Sequence, residues 1–363
     1  MNMLHKILVD FGLNPAEYEV ITFGSGLINH TYKVSGKNEA YILQQLNHDI
    51  FKSPTTVIEN LTLIQQYLKK NYPEYLFAEI MPAKTGDFLI LSASGKYYRL
   101  FPFISGSCTI NYVTDEKEAY EAARQFGKFT FLLKDFDVKS LKCTLDDFHN
   151  LQLRFEQFKN ALNDAKTARI DLASEEIKEV YRHIDILQAY NLLIEKKQIP
   201  IRVIHHDTKI SNVLFDDEQN GLCVIDMDTV MPGYFLSDVG DMMRTYLAAA
   251  NEEETDFSKI IVRKDIFAAI CSGYMSAIGN ELTELEKQNF IFSGELMIYM
   301  QAIRFLTDFL NDDRYYQAKY ELHNLNRAKN QFRLLKEYLA AGDDLCRLQL
   351  KIENEMTGSI QGS

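Results

Sequence analysis

Residues 203–244, VIHHDTKISNVLFDDEQNGLCVIDMDTVMPGYFLSDVGDMMR, decide how this chain is read. The stretch holds His205-His206-Asp207-Thr208-Lys209, then Asn212, then Ile225-Asp226 at the end of an apolar run, then Gly240-Asp241. Asp207 can take a proton from a hydroxyl. Asn212, five positions on, can hold Mg²⁺, and Asp226, fourteen further, can hold that ion against nucleotide phosphates. An isolated His-x-Asp is more often a turn closed by an Asx hydrogen bond. The ordered set, not the tripeptide, points to phosphoryl transfer.

The spacing has a physical reason. Arg202-Val203-Ile204 is an apolar lead-in that delivers Asp207 to the tip of a loop. Residues 212–215 are apolar again, and Asp216-Asp217-Glu218-Gln219-Asn220-Gly221 is a polar hairpin turn ending in glycine. Leu222-Cys223-Val224-Ile225 then reads as the return strand, which sets Asp226 beside Asn212. Carboxylate and amide oxygens suit a hard cation whose shell substrate phosphates complete. Lys209, two residues after Asp207, is placed to face the transferring group and offset charge that grows in the transition state.

The chain's 363 residues exceed one small core and suggest two lobes, and its apolar and charged fractions are those of an ordinary globular protein. A net charge of -12 disfavours a nucleic-acid partner, because phosphate backbones need a basic face. It does not disfavour ATP, which needs only a local positive site and a metal. No run approaches a membrane span, and the amphipathic start MNMLHKILVDFGL lacks a signal-peptide core. The five cysteines (Cys108, Cys143, Cys223, Cys271, Cys346) include no close pair, which fits reduced thiols in the cytoplasm.

Upstream, residues 18–23 and 31–34 read as strands flanking Gly24-Ser25-Gly26-Leu27-Ile28-Asn29-His30. Gly24 and Gly26 let loop N–H groups approach nucleotide phosphates, although Gly-x-Gly between strands is also a common plain hairpin. Residues 40–46 form the next strand. Residues 54–70 carry Val57, Leu61, Ile64 and Leu68 at helical spacing. Residues 87–92 and 95–104 read as a hairpin. Its end, Tyr98-Arg99-Leu100-Phe101-Pro102-Phe103-Ile104, is a connector whose Phe101 and Phe103 either line an adenine slot or serve as core aromatics. From residue 115 the pattern is mostly helical, with helices expected over 115–133, 145–165, 174–197, 264–278, 281–310, 319–341 and 343–355. A small antiparallel β-rich lobe on a larger helical lobe, an α+β architecture, follows.

These residues resemble the aminoglycoside phosphotransferase and choline kinase superfamily, a branch of the protein-kinase-like fold. His205-His206-Asp207 stands where that superfamily has His-Gly-Asp or His-Asn-Asp, and Ile225-Asp226 and Gly240-Asp241 stand at its later motifs. Over nearly its full length the chain looks most like bacterial N-acetylhexosamine 1-kinases. The likeness includes Ile28-Asn29, Thr31-Tyr32, Tyr41-Ile42-Leu43-Gln44-Gln45, Asn47, Arg154-Phe155-Glu156, Asp228-Thr229, Met231-Pro232-Gly233 and Arg304-Phe305-Leu306.

The resemblance implies transfer of phosphate from ATP, with Mg²⁺, to the anomeric hydroxyl of N-acetylglucosamine or N-acetylgalactosamine. It implies a nucleotide-binding lobe over 1–103 and a catalytic, substrate-binding lobe over 104–363. Asp207 and Lys209 are then catalytic, Asn212 and Asp226 hold the metal, and Gly24, Gly26, Gln44, Phe101 and Phe103 bind nucleotide. Kinase-like proteins often place a Lys on the third strand; here Gln44 offers hydrogen bonds without charge. Glu59 accordingly reads as a surface helix residue. Asp228 reads as a metal or sugar contact or a brace of the loop, and Asp241 as a loop-fixing acceptor. Arg304, inside an apolar helix, needs either a carboxylate partner or a sugar. Tyr246 either walls the sugar site or lies in the core. Rival readings are the same chemistry on an aminoglycoside, choline or another sugar, and a non-catalytic nucleotide-binding scaffold. A protein kinase is disfavoured, because Asp226 is not followed by Phe-Gly. The sequence leaves the sugar epimer and the choice between monomer and homodimer open.

Overall fold

The computed structural model of the protein describes residues 3–24 and 28–360, with side chains through 356. Helix α1 (Met3–Asp10) precedes a five-stranded antiparallel sheet of order β1-β2-β3-β5-β4, built from β1 (Glu19–Thr22), β2 (His30–Ser35), β3 (Ala40–Leu46), β4 (Ile90–Leu91) and β5 (Tyr97–Pro102). Side chains alternate across a pleated sheet. One face buries Val34, Tyr41, Leu43, Tyr98 and Leu100 against Ile7 and Leu8 of α1. The other carries Lys33 opposite Ile42, Ile42 opposite Phe101, and Gln44 opposite Arg99.

Helix α2 (Pro54–Asn71) starts on a proline, whose missing N–H costs nothing in a first turn, and buries Val57, Leu61, Ile64 and Leu68 as their spacing requires. Ile58, Leu61, Ile64 and Leu68 share one core with Phe126 and Phe129 rather than with the sheet's own core. Asn60 ties α2 to the later chain, donating to the carbonyls of Lys142 and Val230 at 2.8 and 3.1 Å. Glu59 pairs with Lys142 on the surface.

After β6 (Cys108–Thr109), the chain forms α3 (Glu116–Leu132), α4 (Leu151–Asp164), α5 (Thr167–Leu172), α6 (Ser174–Arg182) and α7 (Ile184–Glu195). Asp115 caps α3 by accepting from the Glu118 N–H, and Asn150 caps α4 by accepting from Leu153, so α4 starts later than its apolar pattern suggests. The helix expected over 174–197 is two, because His183 leaves helical geometry at φ -105°, ψ 28°. Strand β7 (Arg202–Ile204), the hairpin β8 (Val213–Phe215) and β9 (Gly221–Val224), and β10 (Met231–Gly233) follow. Strand β8 pairs with both β6 and β9, and β7 pairs with β10.

Helix α8 (Phe235–Tyr246) comes next and was not among the expected helices; ten of its twelve residues are buried, and its polar side, with Asp238 and Asp241, turns to the loop that follows β7. Then come α9 (Lys264–Ile278), α10 (Glu284–Gln288), α11 (Phe290–Leu310), α12 (His323–Ala340) and α13 (Gly342–Ile360). The helix expected over 281–310 breaks at Asn289, and the one over 319–341 begins only after Leu322, held at φ 66°. Gly240 lets α8 cross α11 closely: a Cβ there would lie 2.1 Å from the Ser293 carbonyl oxygen.

Candidate active site

The site assembles on three loops around α8. The first runs from β7 through His205–Thr208 and is laced to α8 by acids one helical turn apart. Asp238 accepts from the backbone N–H groups of His205 and His206 at 3.0 and 2.7 Å. Asp241 accepts from Thr208 N at 2.9 Å and pairs with Arg244 at 2.8 Å. The Thr208 hydroxyl donates to the Asp238 carbonyl, and the Tyr246 hydroxyl donates to the Thr208 carbonyl at 2.6 Å. His205 is buried, with Nε2 2.9 Å from the Ile225 carbonyl oxygen and its ring edge-on to Phe126.

His206 has φ 67°, a left-handed conformation that glycine and asparagine adopt most readily. That is why those residues suit this position in His-Gly-Asp and His-Asn-Asp. Its Nδ1 lies 3.3 Å from Nδ1 of His149. Burial first, then the neighbouring His205, pushes His206 down to about 3, so the imidazole is neutral.

Asp207 follows at the loop tip, 22% exposed. Its Oδ1 lies 3.0 Å from Lys209 Nζ, and Asn212 Nδ2 donates to its Oδ2 at 3.1 Å and its carbonyl at 2.9 Å. Burial alone would raise its pKa. The charge of Lys209 and its hydrogen bond, with His205 and Arg244 behind, outweigh burial and hold the carboxyl below its ordinary value. Lys209 is raised in turn, chiefly by Asp207.

The second loop leaves β9. Ile225 N donates to the Asn212 carbonyl at 2.8 Å, which sets Asp226 beside Asn212 as the hairpin reading requires. Asp226 is left-handed, at φ 62°, ψ 60°. Its side chain meets solvent at the cleft, yet the protein packed around it and then the charges of Asp228 and Asp207 push its carboxyl up to about 7. Asp207, Asp226 and Asp228 line one small cleft together with Asn29 and Thr229. Converging carboxylates, one buried and two open to solvent, with oxygen donors beside them fit a divalent cation. Among the described residues no group of three His, Cys, Asp or Glu side chains is placed to hold a metal ion by itself.

The third loop joins β1 to β2. Gly24 has φ 78°, open to glycine; Gly26 lies outside the described residues. Asn29 at the loop's end donates to Asp228 Oδ2 at 2.7 Å and accepts from Asn47 N at 3.0 Å. Beyond it, Lys33 lies over the Phe103 ring at 3.7 Å, and Phe23 meets Phe103 edge-on. Ile42 and Phe101, paired across the ladder, lie on the same face, and Phe101 packs against the main core.

Three residues named from the sequence meet protein partners here. Gln44 is not directed at a ligand: its Oε1 accepts from Arg99 Nε and Nη2 at 3.0 and 2.8 Å, and its Nε2 donates to Thr31. Tyr246 is 1% exposed and spends its hydroxyl on the catalytic loop, so it braces Asp207 and does not wall a site. Arg304 forms no ion pair with a carboxylate among the described residues; it bonds Gln301 and lies over the rings of Phe148 and Tyr316. Asp228 is buried between Asn29 and Arg99. Sequence reading missed Arg99, Asn29 and Asp238. Asp238 left a signal, because an acid in a helix buried on every side must find donors.

A five-stranded sheet followed by a carboxylate loop and a hairpin-borne carboxylate is the arrangement of kinase-like phosphotransferases. The chain belongs to the phosphotransferase enzyme family, whose model matches residues 19–257. Its fold is similar to that of amicoumacin kinase hAmiN, solved with AMP-PNP, Ca²⁺ and Ami (TM-score 0.63, 14% identity, 92% of each chain covered). It is similar to a microcompartment-associated aminopropanol kinase (TM-score 0.59, 13% identity, 96% of this chain and 98% of that one). It is also similar to choline kinase from Cryptosporidium parvum Iowa II (TM-score 0.56, 14% identity, 96% and 98%). Family and fold together define a phosphotransferase on a kinase-like fold. Among the described residues no helix is long and apolar enough to cross a membrane.

Proposed function

We propose that the protein transfers the γ-phosphoryl group of ATP to the anomeric hydroxyl of an N-acetylhexosamine. The observation that carries the acceptor class is the wall beside His206. His149, held well below its ordinary value by burial first and then by His206 and Arg304, lies in this wall, and Arg304 bonds Gln301 and lies over Phe148 and Tyr316 with no carboxylate partner among the described residues. Phe148 stacks on His149 at 4.3 Å and carries Arg304 on its ring, linking this wall to His206 and the neighbouring Asp207. A polycationic aminoglycoside or a quaternary ammonium would meet positive charge and aromatic faces already covered by guanidinium. A neutral acceptor rich in hydroxyl and carbonyl oxygens gains hydrogen bonds from the same groups.

Asp207 remains a carboxylate at neutral pH, so it orients the hydroxyl and receives its proton as the oxygen attacks. A carboxylate held below its ordinary value is a weak base, which suits a loose transition state in which positioning matters more than early deprotonation. Lys209, half exposed at the cleft mouth, faces the transferring group. Asn212 commits its amide nitrogen to Asp207, so its oxygen is the end that would serve a metal, together with Asp226. Bound there, Mg²⁺ supplies charge neutralisation for the phosphates. The aromatic face of Phe23, Phe101 and Phe103 takes adenine, and Gly24 with Gly26 covers the phosphates.

Kinetics of Arg304→Ala test the acceptor assignment. KM for N-acetylhexosamine rises at least about 10-fold, as expected for loss of a charged hydrogen bond, while KM for ATP is unchanged. Equal acceptor KM in variant and wild type would remove Arg304 from the acceptor site.

A further inference from the structure

The nucleotide's phosphates carry several negative charges, yet β3 brings no cation to meet them. Directly across the ladder from Gln44, on the same face of the sheet, stands Arg99 of β5. The guanidinium is 1% exposed, so it is a built feature and not a surface charge. Gln44 Oε1 accepts from Nε and Nη2, which fixes the plane of the fork and aims Nη1 towards the opposite loop. There Nη1 contacts Asp228 Oδ1, two residues beyond Asp226. The contact pairs the charges without hydrogen-bond alignment: neither Nη1 nor Oδ1 has a hydrogen-bond partner among the described residues. A buried donor left so is free to take a better-aligned acceptor.

Asp228 is held by a second partner, Asn29, which stands just before β2 at the end of the loop that follows β1. Arg99 thus sits where the sheet, the glycine loop and the metal-side loop meet. Lys33, the other cation shown on this face, lies over Phe103, away from Asp228. We propose that Arg99 supplies from β5 the phosphate-binding cation that β3 lacks, with Gln44 orienting its fork and Asp228 as the counter-ion it exchanges for nucleotide phosphate. The proposal rests on the nucleotide-dependent reading above.

Calorimetric binding of adenosine and ADP, without metal, tests it in wild type, Arg99→Gln, Asp228→Asn and the double variant Gln44→Lys/Arg99→Gln. Arg99→Gln weakens ADP on the order of 10- to 100-fold, the scale of a charge-assisted hydrogen bond, and leaves adenosine within about 2-fold. The double variant, with its cation moved one strand across, regains most of the ADP affinity. Asp228→Asn, which keeps Arg99 and frees it from its counter-ion, binds ADP as tightly as wild type or tighter. It decides the matter should Arg99→Gln fail to fold. If ADP affinity is unchanged in Arg99→Gln, if adenosine and ADP weaken together, or if Asp228→Asn loses ADP, Arg99 is only a tie between lobes and the proposal falls. Wild type binding neither adenosine nor ADP would overturn the nucleotide reading itself.

Discussion

Replacing Gly233 by Ala should strain the catalytic loop through a single methyl group. A Cβ at Gly233 would lie 2.5 Å from both Cε1 and Nε2 of His206, and 3.5 Å from the Ile204 Cβ. Carbon contacts are comfortable near 3.5–4.0 Å, so the imidazole must retreat by about 1 Å. It has little room. His149 stands 3.3 Å from its other side, and its backbone N–H is anchored on Asp238 at 2.7 Å. Overpacking of this kind costs about 1–3 kcal/mol.

The clash depends on one ring, so His206→Gly should relieve it, and glycine adopts φ 67° without the roughly 1 kcal/mol penalty of a side chain. Urea denaturation of wild type, Gly233→Ala, His206→Gly and the double variant forms a complete cycle. Gly233→Ala should cost about 2 kcal/mol alone and less than about 0.5 kcal/mol beside His206→Gly, a coupling typical of residues in contact. Equal costs in the two backgrounds would refute the reasoning, because the methyl would then be opposed by something other than His206.

Three further outcomes follow from the site. Asp207→Asn should lower kcat by about 10²–10⁴-fold, the range for a positioned acid–base group, while ATP binding by calorimetry is retained; near-normal turnover would remove Asp207 from the chemistry. Asp238→Ala strands two buried N–H groups and should cost about 2–6 kcal/mol in chemical denaturation, with turnover falling in parallel; a cost under about 1 kcal/mol would contradict its anchoring role. Asp226, pushed up to about 7, holds a proton in the metal-free fold that the unfolded chain releases near 3.8. Its contribution therefore lowers stability as pH rises through that window, and a divalent cation that displaces the proton stabilises more as pH climbs towards about 7. Thermal melts with and without Mg²⁺ across this range should show that growing increment in wild type and not in Asp226→Asn. A pH-independent increment in wild type would contradict it.

What the sequence disclosed and what it hid divide along sequence distance. Asp207, Lys209, Asn212 and Asp226 lie within one loop–hairpin–loop, so strand and turn patterns alone bring them together. Their supports come from far away: Asn29 meets Asp228 across 199 positions, and Arg99 meets it from β5. A buried Arg on a strand reads like any alternating polar residue until its partner is seen. Gln44 was singled out for the right position but the wrong partner, since its oxygen faces a guanidinium rather than a ligand. Helix breaks at His183 and Asn289 were hidden because apolar periodicity runs through them; only the backbone angles mark the turn. Helix α8 was passed over although its pattern is amphipathic, because Asp241 was read as a motif residue; it and Asp238 face the loop after β7 and not solvent.

The central claim is best tested by measuring ATP consumption with Mg²⁺ across N-acetylglucosamine, N-acetylgalactosamine, glucose, galactose, choline and kanamycin, with phosphorus NMR of each product. The account predicts turnover on an N-acetylhexosamine with the phosphate on the anomeric oxygen. Turnover confined to choline or kanamycin, or a sugar phosphorylated at another hydroxyl, would contradict it.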